Sequence, residues 1–313
     1  MTRTATARQS LGPARPERDA GGFRRHRRSR LPGIPDARPV LLATALALAL
    51  TACAERLIAP RSVRFEANPP GAGEVQVRLR IGAADLRISP AGPAFAPVVR
   101  GVTEFNLAAF EPDVIIEGTR VTLTSKGSPA RVPTGARAEW DLFLGRTRLL
   151  DLELNLGAFE GLVDLGGLRL TRLVLRSGAG DATIRFSEPN PGRLSLLRIE
   201  AGASRIRVED ILNAGADRIE LDGGAGEFTL EVSGQLREVT RMNVTIAAGS
   251  FIAIIPEGIP ARVRVIGTLA TTTAGEGFDQ VQGGYLTSEY EEGSAAVEIE
   301  VTAAVGRVEL RRR

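Results

Sequence analysis

A glycine-anchored repeat runs through most of the chain and constrains its fold more than any other feature. Six segments align on a glycine that is followed by Ala or Ser, and an aliphatic residue always comes six positions after the glycine. The aligned glycines are Gly82, Gly157, Gly178, Gly202, Gly224 and Gly249, of which the last five lie 21, 24, 22 and 25 residues apart. The corresponding aliphatic residues are Ile88, Val163, Ile184, Val208, Leu230 and Ile255.

Apolar and polar residues alternate along the chain, as in residues 75–81, 228–232 and 297–301. Alternation with a period of two predicts half-buried β-strands. A repeat of about 20–25 residues in a β-rich chain is typical of a solenoid, because each repeat is one rung that cannot bury its apolar face alone. We therefore expect an all-β fold built on a parallel β-solenoid. The aliphatic residues would form an interior ladder, and glycine would supply the backbone freedom for a corner.

Two other architectures compete with this interpretation. Residues 165–175 have the leucine rhythm of a leucine-rich repeat, but that repeat also needs an Asn or Cys ladder and a helical return, and this chain offers Gly-Ala pairs and more strand. A β-sandwich is the other alternative, since it too is built from short alternating strands.

The first 52 residues have the pattern of a secretory signal with a long basic leader. Five arginines cluster within residues 24–30, an uncharged apolar run follows at residues 40–50, and small residues come next. The run is too short to span a bilayer core of about 30 Å, which needs roughly 20 apolar residues. We therefore expect removal of residues 1–52 and no permanent transmembrane helix.

The sole cysteine of the chain directly follows this apolar run. Leu50, Thr51, Ala52 and Cys53 resemble the lipobox of bacterial lipoproteins, in which a cysteine thiol is linked to diacylglycerol before cleavage. The resemblance implies a lipidated Cys53 at the mature N-terminus, and several acyl chains together anchor a protein stably. The alternative is an ordinary signal peptide followed by an incidental buried cysteine.

Charge divides at the same point. The whole chain has a formal net charge of +3, but residues 1–52 hold ten Arg and three acids, which leaves 30 basic and 34 acidic residues in the remainder. An acidic domain has little with which to neutralise phosphates, so we expect no nucleic-acid partner. The only His, His26, lies in the leader, and this excludes Ser-His-Asp, Cys-His and His-ligated zinc sites from the mature chain.

Further stretches resemble a known family. They are VRGVTEF at 99–105, WDLFL at 140–144, LVDLGGL at 162–168, LRSGAG at 175–180, GGY at 283–285 and AVGRVEL at 304–310. Together they resemble the toast-rack family of bacterial envelope proteins and the C-terminal domain of LiaF-type cell-wall stress regulators. The resemblance implies stacked β-structure with a smaller N-terminal β region and no enzyme activity. LiaF-type proteins usually reach the membrane by helices, whereas this chain would use a lipid.

Carboxylates are the remaining candidates for chemistry. Asp181, Glu200, Asp222 and Glu227 lie near successive Gly-Ala corners, where they could form a Ca²⁺ or acid/base site, although a solvated polar face is the favoured interpretation. The acids around Tyr290 are interpreted as a solvated turn, Trp140 as a core residue and residues 311–313 as a frayed tail.

These observations predict four regions: a signal at 1–52, a lipidated cysteine and tether at 53–63, an N-terminal β region at 64–145, and solenoid repeats with a C-terminal cap at 146–313. The expected function is that of a non-catalytic, lipid-anchored scaffold or binding module of the cell envelope, without cofactor or metal. Its expected partners are the membrane and an envelope protein or glycan. The alternatives are a regulatory partner in envelope-stress sensing and a carbohydrate-active β-helix enzyme.

Overall fold

The computed structural model describes residues 56–127 and 131–313, which belong to one compact unit, Ala54–Arg313. The signal segment, Leu50, Thr51, Ala52 and Cys53 lie outside the described residues. The all-β prediction is confirmed, since fifteen strands make up most of the described chain. They are β1 (Leu57–Ala67), β2 (Val75–Pro90), β3 (Val99–Leu107), β4 (Pro112–Glu117), β5 (Arg120–Ser125), β6 (Ala138–Leu144), β7 (Leu149–Asp164), β8 (Arg169–Arg185), β9 (Leu196–Glu209), β10 (Arg218–Glu231), β11 (Thr240–Ile255), β12 (Ala261–Ala274), β13 (Phe278–Val281), β14 (Gly284–Thr287) and β15 (Val297–Arg312).

Eight long parallel strands form the stack, in the spatial order β2-β7-β8-β9-β10-β11-β15-β12. Each of these rungs has a first arm, a corner at the Gly-Ala position and a second arm. On its other side, β2 pairs with β5 along the first arm and with β6 along the second. The sheet continues through β3 to β1 at one end, and through β14 to β13 at the other.

The corner glycines stack because neighbouring rungs approach too closely there for a side chain. Gly82, Gly157, Gly178, Gly202 and Gly224 occupy one column, in which a Cβ at Gly157 would lie 2.2 Å from the Gly82 carbonyl oxygen. The prediction for Gly249 is wrong by two residues. Gly249 pairs with Gly226 in a second corner column, and Ala247 takes the place opposite Gly224.

The aliphatic ladder lies in the interior. Ile88, Val163, Ile184, Val208 and Leu230 are aligned on successive rungs, and each is at most 1% exposed. Ala253 continues the ladder on β11 instead of Ile255, because the register of β11 differs by two residues from the predicted one. Burial of this ladder with the inward side chains of the first arms produces one continuous core.

Short return segments close each turn of the solenoid, and two asparagines tie them together. The buried Asn190 side chain donates to the Leu170 and Ala214 carbonyls at 3.0 and 3.2 Å and accepts from the N–H of Gly192 at 2.9 Å. In the next return, Asn213 donates to the Phe186 carbonyl at 2.9 Å. The returns contain strand-free turns and one short 3₁₀ helix, Ile211–Ala214, so among the described residues they lack the helices of a leucine-rich arc.

The predicted domain organisation is wrong in three respects. The tether was expected to run to residue 63, but β1 begins at Leu57. The N-terminal β region is not separate, because β2 is the first rung and pairs along its length with β7. The last strand does not cap the stack, because β15 lies inside it, between β11 and β12.

Candidate binding surface

The outward side chains of the first arms form an ion-paired surface, here called the first-arm face. Glu153 on β7 lies 3.4 Å from the Arg78 guanidinium on β2 and 3.0 Å from that of Arg176 on β8. Arg176 also bonds to Glu200 on β9, again at 3.0 Å. Arg78 and Glu153 are register partners, and so are Arg176 and Glu200, whereas Glu153 and Arg176 are diagonal neighbours. Adjacent strands lie about 4.8 Å apart, so each charge can contact a neighbouring rung.

Glu153 shows the electrostatic balance of this face. Partial burial opposes ionisation, but the hydrogen bond from Asn155 and the cations Arg78 and Arg176 outweigh it and lower the pKa of the Glu153 carboxyl. Further along, the nearly buried Glu220 is paired with Arg198 and Arg218. Arginines therefore balance the charges of Glu153 and Glu220, which is a structural role.

An open groove of ≈ 670 Å³ follows the corner beside the first-arm face. Its charged lining comes from Arg176, Glu200 and Asp222, and its floor is the column of corner glycines. Because glycine carries no side chain, the backbone of the corner is accessible from this groove.

The second arms carry an unexpected acidic row, which consists of Glu104, Glu139, Asp85, Glu160 and Asp181. These exposed residues occupy aligned positions on the neighbouring strands β3, β6, β2, β7 and β8. The strand spacing of about 4.8 Å places like charges side by side, which is unfavourable unless a cation is near. The row ends where Arg205 on β9 bonds to Asp181 at 2.8 Å.

A second groove, of ≈ 520 Å³, runs along the acidic row. Arg87 is the basic residue in its lining, and it lies 3.6 Å from Asp141. The groove is therefore strongly negative, in contrast to the balanced first-arm face.

The predicted acidic constellation is split between the two arms. Glu200 and Asp222 are neighbours on first arms, whereas Asp181 and Glu227 lie on second arms with Arg205 between them. In the part of the chain that the structure describes, no group of three His, Cys, Asp or Glu residues could hold a metal ion.

The residues near the end of β15 are more ordered than predicted. The side chain of Arg312 is only 10% exposed and bonds to Glu289 at 2.7 Å, so the prediction of a frayed tail is wrong. Burial raises the pKa of the Glu289 carboxyl, but the N–H of Gly258 and the Arg312 guanidinium outweigh this effect, and the pKa lies below its ordinary value. Trp140 is buried against Phe65, with ring centroids 6.0 Å apart, and it is not exposed for stacking on a sugar.

Sequence reasoning missed the acidic row because its members come from strands that are distant in sequence. Glu104 and Glu139 lie on antiparallel strands outside the repeat, and the pairing of β6 with the second arm of β2 joins them to Asp85. In the sequence, each of these acids is visible only as a polar residue in an alternating strand pattern, and that pattern does not indicate which strands become neighbours. Over residues 56–127 and 131–313, no helix is long and apolar enough to cross a membrane.

Comparison with known proteins finds one matching family model and several solved structures of low sequence identity. A family model described as the "N-terminal domain of toast_rack" matches residues 59–209. Among solved structures, a "putative cell adhesion protein" from Clostridium sporogenes is similar at 16% identity and a TM-score of 0.44, covering 82% of this chain and 100% of that chain. A "putative adhesin" from Bacteroides fragilis is similar at 10% identity and a TM-score of 0.37, covering 80% and 97%. A "putative lipid binding protein" from Parabacteroides distasonis is similar at 9% identity and a TM-score of 0.38, covering 80% and 96%. No curated protein matches the sequence significantly.

Proposed function

We propose that this chain, whose residues 59–209 match the family model for the N-terminal domain of toast_rack, is a lipid-anchored, non-catalytic binding module of the bacterial cell envelope. Cys53 would carry the lipid, and the outward faces of the stacked rungs would contact an envelope protein or wall glycan.

The observation that carries the binding role is the in-register stack itself. In spatial order, the sheet contains eleven strands from β1 to β12. The ten spacings between them, at about 4.8 Å each, give a length of about 48 Å. Along this length, equivalent side chains repeat at every rung. Solenoids use such extended, repetitive faces for binding, because many weak contacts add over a long surface.

Chemistry of the side chains supports the non-catalytic part of the proposal. Residues 54–313 contain neither His nor Cys, so the usual nucleophile and base pairs are missing from the sequence after Cys53. On the first-arm face, Glu153 and Glu200 are ion-paired with Arg176. The carboxylates of the acidic row are exposed and line an open groove, not an enclosed pocket.

Chain connectivity supports anchoring at one end of the stack. Only residues 54–56 separate Cys53 from the start of β1 at Leu57. Four steps of extended chain span at most about 14 Å. A lipid on Cys53 would therefore keep the β1 end of the stack next to the bilayer and leave the β12 end farther from it.

The anchoring is tested by Cys53→Ala in the full chain, followed by membrane fractionation and labelling with a palmitate analogue. We expect the variant to lose the label and leave the membrane fraction. Ala54→Ser, which changes the neighbouring residue and leaves the thiol, is the matched control and should stay anchored. A Cys53→Ala protein that remains in the membrane fraction would show that something other than this thiol holds the chain.

The partner is tested with the purified domain, residues 54–313. Co-sedimentation with insoluble wall glycan distinguishes a glycan partner from a protein partner, which would be found by cross-linking in intact envelopes. Consistent cross-linking to a sensor kinase would favour the regulatory alternative. Depolymerisation of the glycan, abolished by Asp181→Asn or Asp222→Asn, would contradict the non-catalytic proposal.

A further inference from the structure

Strand β12 has an open edge at the far end of the stack. It pairs with β15 along its whole length, Ala261 to Ala274, on one side. On the other side only Arg262 and Val263 pair, with β14. Within the described chain, the backbone from residue 264 to residue 274 therefore has no strand partner on that side.

This edge lacks the features that usually prevent edge-to-edge association. Residues 265–275 contain no charge and no proline, and they are rich in Thr, Val and Ile, which favour strands. The edge strand at the opposite end, β1, carries Pro60, Arg61, Arg64 and Glu66. Proline and charge are the ordinary protection of edge strands, so one end of the stack is protected and the other is not.

Among the described residues, the three most exposed large apolar side chains lie at this end. In the corner position next to the glycine column, the rungs from β2 to β11 all carry alanine, from Ala83 to Ala248. On the last two rungs the same position is Val305, which is 50% exposed, and Leu269, which is 73% exposed. Ile266, at 50%, lies beside them. A change from alanine to exposed Val and Leu adds apolar surface that is buried if another strand covers it.

We propose that the open edge of β12 is a dimer interface that binds the same edge of a second copy of this chain. The two β12 strands would pair antiparallel across a two-fold axis that passes through the corner. The first arm of each copy would then lie against the second arm of the other, over residues 265–274. Such an interface is isologous, since the same surface serves both partners.

The free backbone groups agree with this pairing. The N–H of Val297 bonds to the Pro260 carbonyl, so in the first arm the alternation places residues 265 and 267 toward the open edge. The N–H of Gly275 bonds to the Leu310 carbonyl, so in the second arm residues 272 and 274 face the open edge. Pairing residue 265 with residue 274, and residue 267 with residue 272, places the unpaired backbone N–H and C=O groups of one copy opposite those of the other.

The side chains are also complementary. The pairing places Leu269 of each copy close to the axis, where the two exposed side chains cover each other. Arg264 precedes the uncharged run and Glu276 follows it. Antiparallel pairing brings Arg264 of one copy beside Glu276 of the other, at both ends of the interface, and opposite charges at such places favour the register. The β14–β13 hairpin covers the earlier part of β12 and limits pairing to this segment.

The test uses purified residues 54–313, a single compact unit with its own core, in sedimentation velocity over a range of concentrations. We expect a concentration-dependent dimer. Leu269→Arg should raise the dimer dissociation constant about tenfold or more, because it places two cations at the axis. Thr272→Pro, which removes an edge N–H, should weaken the dimer without disturbing the pairing with β15. Ala203→Arg, in the same corner position on an interior rung, is the matched control and should leave the dimer unchanged.

A second measurement does not depend on these variants folding normally. Leu269→Cys in the full chain, oxidised in intact envelopes, should give a disulfide-linked dimer, whereas Ala203→Cys should not. A domain that stays monomeric at all concentrations, or a dimer that Leu269→Arg and Thr272→Pro leave intact, would overturn the proposal. Capture of an unrelated extended segment at this edge by a monomer would also overturn it. Because the purified domain lacks Cys53, the result is independent of lipid anchoring.

Discussion

Replacement of Gly226 by alanine should strongly destabilise the stack. Gly226 lies in the second corner column with φ +132°, a backbone conformation that residues with a side chain rarely adopt. A Cβ at this position would lie 1.9 Å from the carbonyl oxygen of Ser204 and 2.9 Å from its carbonyl carbon. Both atoms belong to the backbone of the neighbouring rung, so the clash cannot be relieved by rotating a side chain.

The expected loss has two contributions. The unfavourable φ costs about 1–3 kcal/mol. Forcing a methyl group into closely packed backbone costs about 1–3 kcal/mol more, as overpacking does elsewhere. We expect a decrease of about 4 kcal/mol in the free energy of unfolding, which is a large part of the roughly 5–15 kcal/mol that stabilises a typical domain.

Equilibrium urea unfolding of residues 54–313 would measure this loss against two matched controls. Gly73→Ala has an ordinary φ and nothing within 4 Å, so its unfolding midpoint should hardly change. Gly215 has φ +57°, and an added Cβ would meet nothing within 4 Å. Gly215→Ala therefore measures the cost of the left-handed backbone conformation alone, which is about 1 kcal/mol. If Gly226→Ala is no more destabilising than Gly215→Ala, the rungs are not as closely stacked at the corner as the reasoning requires.

Two further predictions concern polar groups. Asn190→Ala should cost about 3 kcal/mol in thermal or urea unfolding, because the carbonyls of Leu170 at the start of β8 and of Ala214 in the next return segment lose their donor. The exposed Asn243→Ala should have little effect, and equal losses would contradict the bridging role. Glu289 has a lowered pKa in the folded state, so its stabilisation is present above its ordinary value of 4.5 and is lost as the pH falls further through the folded value. The melting temperature of the wild type should therefore fall more steeply below that pH than that of Glu289→Gln, and parallel curves would refute the ion pair with Arg312.

The sequence predicted the solenoid because two independent requirements of stacking repeat with the same period. Gly157, Gly178, Gly202 and Gly224 recur where backbone meets backbone, and an aliphatic residue recurs six positions later where side chains meet in the core. These two signals determine both the corner and the face of each arm. The family resemblance noted from the motifs agrees with the match over residues 59–209.

The register of β11 could not be predicted in the same way. On β10 both corner columns carry glycine, Gly224 and Gly226, but on β11 only the second does, and Ala247 occupies the first. Aligning Gly249 with Gly224, and not with its true partner Gly226, therefore shifts the predicted register of β11 by two residues. The place of β15 was missed for a related reason: its corner glycine, Gly306, belongs to the second column, and spacing along the chain says nothing about a rung that inserts out of order.

The candidate surfaces depend on this same out-of-order pairing. The acidic row needs the second arm of β2 to meet β6, and the exposed Leu269 needs β12 to be the outermost rung. Neither contact is local in sequence. Pattern and period describe neighbours along the chain, whereas these surfaces arise from strands that become neighbours only in the folded sheet.

The position of β15 between β11 and β12 also determines the order in which the domain can be completed as the chain folds. The rungs from β7 to β11 can each pair with the preceding one as soon as they emerge. Strand β12 emerges before the residues at 297–312 that separate it from β11, so for a time it has no permanent neighbour. If β12 paired with β11 first, β15 would be left without its place, and the chain would have to open that contact again. Delayed pairing of β12 is therefore a step at which the folding chain can form a wrong contact.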